Sequence, residues 1–145
     1  MADMSYDDLV ENFEYLDDWE ERYRYVIELG KALPPLDEAR KTDETKVDGC
    51  VSRVWIDSRA VSEASGSGDA ETRIEFDGDS DAHIVRGLIA ILHTMLSGKT
   101  AREIADKDVA SELQRLDLAA HLSPQRSNGL GSMVERIKGV AKHHA

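Results

Sequence analysis

Thr72-Arg73-Ile74-Glu75-Phe76 alternates apolar with charged side chains, and shortly after it Ile84, Val85, Leu88, Ile89, Leu92, Met95 and Leu96 recur at helical spacing. A two-residue period places one face of a strand inward, whereas a wide stripe at a period of 3.6 marks a helix that buries most of its girth. This stretch therefore predicts a strand followed by the core helix, with Ser80 capping that helix and Asp81 in its first turn. Upstream, Ser52-Arg53-Val54-Trp55-Ile56 is β-branched and aromatic and reads as a second strand, paired antiparallel with the first. Between them, Ser65-Gly66-Ser67-Gly68-Asp69 predicts a flexible loop, preceded by a short third strand around Ala60 to Glu63.

The flanks are helical. Tyr6, Leu9, Val10, Phe13, Leu16, Tyr23, Val26 and Ile27 recur with acids between them, predicting one long helix or a closely joined pair over Ser5 to Leu29, with Gly30 as its C-terminal cap. Leu33-Pro34-Pro35-Leu36 cannot continue a helix. Asp37 to Lys46 is polar and reads as a surface connection ending in the tight turn Val47-Asp48-Gly49. On the C-terminal side Gly98 stops the core helix, and Thr100-Ala101-Arg102-Glu103 has capping-box spacing. Leu113, Leu116, Leu118 and Leu122 suggest a short helix before Ser123-Pro124, which starts a last helix with Leu130, Met133, Val134, Ile137 and Val140 on one face. The expected architecture is α+β: a small antiparallel sheet of two to three strands covered by helices, in a single domain spanning residues 1–145.

Charge and composition narrow the function. A net charge of −11 opposes phosphate backbones, so a nucleic-acid partner is not expected. No apolar run is long enough to span a membrane and no secretory signal opens the chain, so the expected location is cytoplasmic. The single cysteine, Cys50, excludes an internal disulfide and any all-cysteine metal site, so thiol chemistry must involve a second molecule.

Several motifs resemble sites without meeting their requirements. Asp77-Gly78-Asp79-Ser80-Asp81 imitates a calcium loop, but Ala82 and Leu88 stand where glycine and glutamate are needed. Gly98-Lys99-Thr100 imitates the end of a phosphate loop, but His93 occupies the place of its first glycine. His83, His93 and His121 lack paired ligand spacing, and His143-His144 lie in a terminal tail. Neither a metal nor a resident cofactor is expected.

Cys50 stands apart because it follows an Asp-Gly turn and begins a strand, where a rigid scaffold can present a reactive group. Alternation places it on the face of Ser52, Val54 and Ile56, which predicts a thiol sheltered beside the core. Shelter raises the thiol's pKa, so a nearby cation or a partner must activate it.

Val47-Asp48-Gly49-Cys50-Val51-Ser52-Arg53-Val54-Trp55 resembles the active-site segment of the SufE family, whose core is Gly-Cys-x-Ser-x-Val-Trp. The likeness extends to Leu33-Pro34-Pro35-Leu36, to Gly78-Asp79-Ser80-Asp81-Ala82 with Ile84-Val85-Arg86-Gly87-Leu88-Ile89-Ala90, and to Leu122-Ser123-Pro124-Gln125-Arg126-Ser127-Asn128-Gly129-Leu130. The resemblance implies a fold like that of SufE and IscU-type proteins. It further implies a sulfur acceptor and activator of a SufS-type cysteine desulfurase, supplying a SufBCD-type scaffold for iron–sulfur cluster assembly. The family's acceptor cysteine falls on Cys50, its arginine on Arg126 and its partner-facing acid on Asp81. Delivery predicts that the loop bounded by Gly49 swings outward when the desulfurase binds. Val51 departs from the family's frequent glutamine. A CsdE-like acceptor serving another desulfurase branch, and a thiol module that senses or binds without transferring sulfur, are the alternatives.

Overall fold

The computed structural model describes residues 5–48, 53–62, 72–118 and 122–144. The expected single long N-terminal helix or joined pair is a pair, α1 (Tyr6–Tyr15) and α2 (Trp19–Ala32). Ser5 and Asp8 form a reciprocal capping box on α1, and Asp18 caps α2 by accepting the Glu21 amide at 2.8 Å. A second cap signal within an apparently continuous apolar stripe is what splits it. Leu9, Val10 and Phe13 bury the inner face of α1.

The sheet is antiparallel, with β2 (Thr72–Ser80) between β1 (Val54–Ser62) and β3 (Lys99–Thr100). Val54 pairs with Ser80 at one end of the β1–β2 ladder and Ser62 with Thr72 at the other. The strand expected around Ala60 to Glu63 is, as far as Ser62, the continuation of β1. The actual third strand follows Gly98, whose φ of 83° turns the chain so that Arg73 and Ile74 pair with Thr100 and Lys99. Two residues are too short a run for alternation to show in the sequence.

Val54, Ile56, Ile74 and Phe76 form the buried inner face of the sheet beneath α3 (His83–Leu96), whose Ile84, Val85, Leu88, Ile89, Ile91, Leu92, Met95 and Leu96 are all buried. Gly78 lies in this layer, where a Cβ would stand 2.8 Å from the Ile89 side chain. Helix α2 packs on α3 through facing glycines: a Cβ on Gly87 would meet the Val26 carbonyl oxygen at 2.1 Å, and one on Gly30 the His83 carbonyl oxygen at 2.5 Å. Gly30 is therefore an interior contact residue and not the expected cap, since α2 runs on to Ala32. Ser80 likewise ends β2 instead of capping α3 directly. Ala82 is the N-cap residue, Asp81 precedes the helix, and the Ser80 hydroxyl accepts the Ala82 amide at 3.2 Å.

The remaining helices close the core. Thr100 and Glu103 form the expected capping box on α4 (Ala101–Asp106), and Asp108 caps α5 (Val109–Arg115). The long α6 (Pro124–His144) starts at the expected Ser123-Pro124 signal and buries Leu130, Met133, Ile137 and Ala141.

Candidate functional site

Gly49 and Cys50, with Val51 and Ser52, lie outside the described residues, as do Ser65–Asp69 and His121. The residues that frame Cys50 on both sides are described, and they are tied to the sheet. On the N-terminal side a turn is closed by Thr42 and Thr45, each hydroxyl accepting the other residue's amide, at 3.0 and 3.2 Å. The chain then joins β1: the Ile56 amide donates to the Thr45 carbonyl and the Val47 amide to the Val54 carbonyl, both at 2.8 Å. The expected polar surface connection over Asp37 to Lys46 thus ends as a short arm against β1, with Lys46 bridged to Trp55.

On the C-terminal side Arg53 is held by Asp81. The Arg53 amide donates to Asp81 Oδ1 at 3.1 Å, and the Asp81 amide donates to the Arg53 carbonyl at 3.3 Å. Asp81 is exposed, so it combines a restraint on the chain just after the Cys50 segment with access to solvent.

Asp79, two residues earlier and opposite Trp55 in register, is almost wholly buried. Its carboxylate accepts from the Leu36 amide at 2.9 Å, the Ser80 amide at 2.8 Å and the Arg86 guanidinium, with Lys41 Nζ at 3.6 Å. Burial by itself would push its pKa up, but the amides of Leu36 and Ser80 and the charges of Arg86 and Lys41 outweigh it and hold the carboxyl below its usual range. Arg86 also donates to the carbonyls of Gly30 and Leu33, so one guanidinium joins the end of α2, α3 and β2. Lys41 lies 5.1 Å from the Trp55 ring centroid, a cation–π contact on the outer face of β1.

The same face carries a charged ladder. Arg40 pairs with Asp57 at 2.7 Å and Asp77 at 3.0 Å, while Arg59 pairs with Asp77 and Glu75, both at 3.1 Å. The segment around the short 3₁₀ turn Glu38–Arg40 therefore straps the outer face of the sheet near the Cys50 flank. Arg40 and Lys41 were not singled out from sequence, and Asp79 and Arg86 stood there only within longer motifs, with no role of their own. Their signal was the row Arg73, Glu75, Asp77 and Asp79 on one strand face, which shows charge but not which distant cations answer it.

Arg126 lies in the first turn of α6 with an exposed side chain, and its amide donates to the capping Ser123 hydroxyl at 3.3 Å. The structure brings Asp81 together with Arg53 and places Arg126 at the start of another element. Asp77 and Asp79 lie in β2 with arginine partners, so the calcium-like run is a strand. Gly98-Lys99-Thr100 is the turn into β3. His93 packs edge-on to Phe76, with centroids 5.5 Å apart.

The model of the SufE family, the Fe-S metabolism associated domain, matches residues 7–141 and so includes both flanks of Cys50. The chain belongs to the SufE family. It is 54% identical over 142 residues to an uncharacterized SufE-like protein of Rhizobium etli, covering 97% of this chain and 92% of that one. A second uncharacterized SufE-like protein, from Rhizobium meliloti, is 50% identical over 139 residues, covering 95% of each. A hypothetical protein from Thermus thermophilus, solved in solution, superposes with a TM-score of 0.71 over 99% of this chain and 98% of its own. At 16% identity it shares the fold alone. The SufE assignment ties the chain to iron–sulfur metabolism. Among the described residues no helix is long and apolar enough to cross a membrane.

Proposed function

We propose that this SufE-family protein is a sulfur carrier in which Cys50 accepts the outer sulfur of a persulfide on a SufS-type cysteine desulfurase. It stimulates that enzyme by clearing its product and delivers the sulfur to a SufBCD-type scaffold in the cytoplasm. The observation that carries this reading is the intact Gly49-Cys50 acceptor position, the chain's only thiol, within a SufE match over residues 7–141.

The chemistry balances without an external oxidant or reductant. The Cys50 thiolate attacks the terminal sulfur of the donor's Cys–S–SH, a new S–S bond forms, the donor's S–S bond breaks, and the donor cysteine leaves as a thiolate. The proton lost from Cys50 ends in solvent or on the departing thiolate. A thiol of ordinary pKa, about 8.5, is mostly protonated at neutral pH, so docking must supply the activation. Arg126 and Asp81 are exposed and accessible to such a partner, and Asp81 also restrains Arg53. The reading includes an outward swing of the loop bounded by Gly49 when the desulfurase docks.

Incubation with an active desulfurase and cysteine is expected to add one sulfur to the intact mass, removable by reductant and absent from Cys50→Ser. A wild-type chain that stays unmodified beside a turning-over desulfurase rejects the assignment. So does an adduct that survives Cys50→Ser.

A further inference from the structure

Arg136 lies on a half-buried flank of α6, a long way in sequence from Cys50, yet its guanidinium reaches the arm that precedes Cys50. It donates to the Lys46 carbonyl at 3.2 Å and to the Glu44 carbonyl. The choice of carbonyls follows from which backbone groups of this turn and bridge face β1. Thr45 turns its carbonyl toward Ile56 and Val47 its amide toward Val54, so those groups face β1. The carbonyls of Glu44 and Lys46 are left on the outer edge. A planar fork with several fixed donors can bridge two such acceptors, which a lysine cannot do with the same geometry. Arg136 therefore does for the free edge of the arm what β1 does for its inner edge.

The arm is also held by the buried Val47 side chain, by the Thr45 hydroxyl donating to the Arg40 carbonyl at 2.7 Å and by the Lys46 amide donating to the Thr42 carbonyl at 3.0 Å, but its outward side is open. Its pairing with β1 is brief, and Glu44, Lys46 and Asp48 are exposed. The Val47–Val54 hydrogen bond joins the two ends of the stretch 48–53, which contains Cys50, so whatever steadies the arm sets the geometry of those ends. Helix α6 is itself anchored by Met133, Ile137 and Ala141, all buried. A groove of about 550 Å³ lined by Glu135, Arg136, Gly139, Val140 and His143 opens beside the guanidinium. Substitution at 136 thus changes a surface contact and leaves the core packing in place.

We propose that Arg136 is a positioning residue: by gripping the outer carbonyls of the 44–47 arm it couples α6 to the flank of Cys50 and sets how often the arm opens. The consequence for sulfur acceptance rests on the reading of Cys50 given above, but the coupling can be measured without any desulfurase. The full-length protein is compared with Arg136→Ala and Arg136→Lys by amide hydrogen exchange and by the second-order rate of thiol alkylation with iodoacetamide, read by intact mass. In Arg136→Ala the amides of Val47 and Ile56 are expected to exchange about fivefold faster while those of Leu88 to Leu92 in α3 keep their rates. The alkylation rate is expected to change by at least about threefold, with Arg136→Lys intermediate because a single ammonium nitrogen keeps the charge but not the fork that spans both carbonyls.

Unchanged exchange at Val47 and Ile56 overturns the proposal, as does an equal rise throughout the core, which marks a general loss of stability. Faster arm exchange with an unaltered alkylation rate also overturns it, by separating the arm from the thiol. Failure of the persulfide assay in the unsubstituted protein bears on the carrier function alone, because neither of these measurements uses a donor.

Discussion

Asp79 shows how much one side chain can organise. It is a buried carboxylate satisfied by two amides and the Arg86 guanidinium, and Arg86 in turn satisfies two carbonyls at the end of α2. Removing one member of a buried pair leaves the other charged and uncompensated. Asp79→Ala is expected to cost about 3 kcal/mol in urea unfolding. The pH dependence has a definite sign. Because the folded-state pKa lies below the ordinary value of 3.8, the stabilisation is complete above that value and disappears as pH falls through the folded pKa. The unfolding midpoint of the unsubstituted protein should therefore fall more steeply than that of Asp79→Asn between about pH 5 and pH 2. Parallel curves would show that another carboxylate dominates acid sensitivity. Asp81 was picked out from its place in the SufE motif, but its bond to the Arg53 amide was not legible, because that pairing depends on register across the β1–β2 ladder.

At the scale of elements, the crossing of α2 and α3 depends on two glycines. A methyl group on Gly87 would overlap the Val26 carbonyl and side chain, which belong to the packed backbone of a neighbouring helix and cannot move aside alone. Gly87→Ala is expected to destabilise by about 3 kcal/mol, seen as a lower urea midpoint. Gly131 in α6 is the counter-case, since a Cβ there meets nothing within 4 Å. Gly131→Ala should stabilise by about 0.8 kcal/mol, through restricted unfolded-state freedom alone. Opposite signs for the same chemical change would confirm that packing, not propensity, governs Gly87. The sequence could not distinguish these glycines. Gly30 was read as a cap because glycine commonly ends helices, and only the approach of α3 reveals it as a contact point.

Over the whole molecule, a net charge of −11 sets the long-range field, while local cations are spent on the strap across the sheet. Binding to double-stranded DNA at about 0.15 M salt is expected to be undetectable by mobility shift. Retention that weakens with added salt would contradict that. The α+β class, the core helix, the caps at Thr100 and Ser123, and membership of the SufE family were all determined by the sequence, because each rests on local periodicity, on short-range hydrogen-bonding chemistry or on contiguous motifs. Tertiary structure alone decided the third strand, the Gly30–Gly87 crossing, the Asp79–Arg86 hub and the grip of Arg136 on the arm beside Cys50. Each of these joins residues far apart in the chain, and no local pattern records which distant backbone group or charge a side chain will meet once the core has closed.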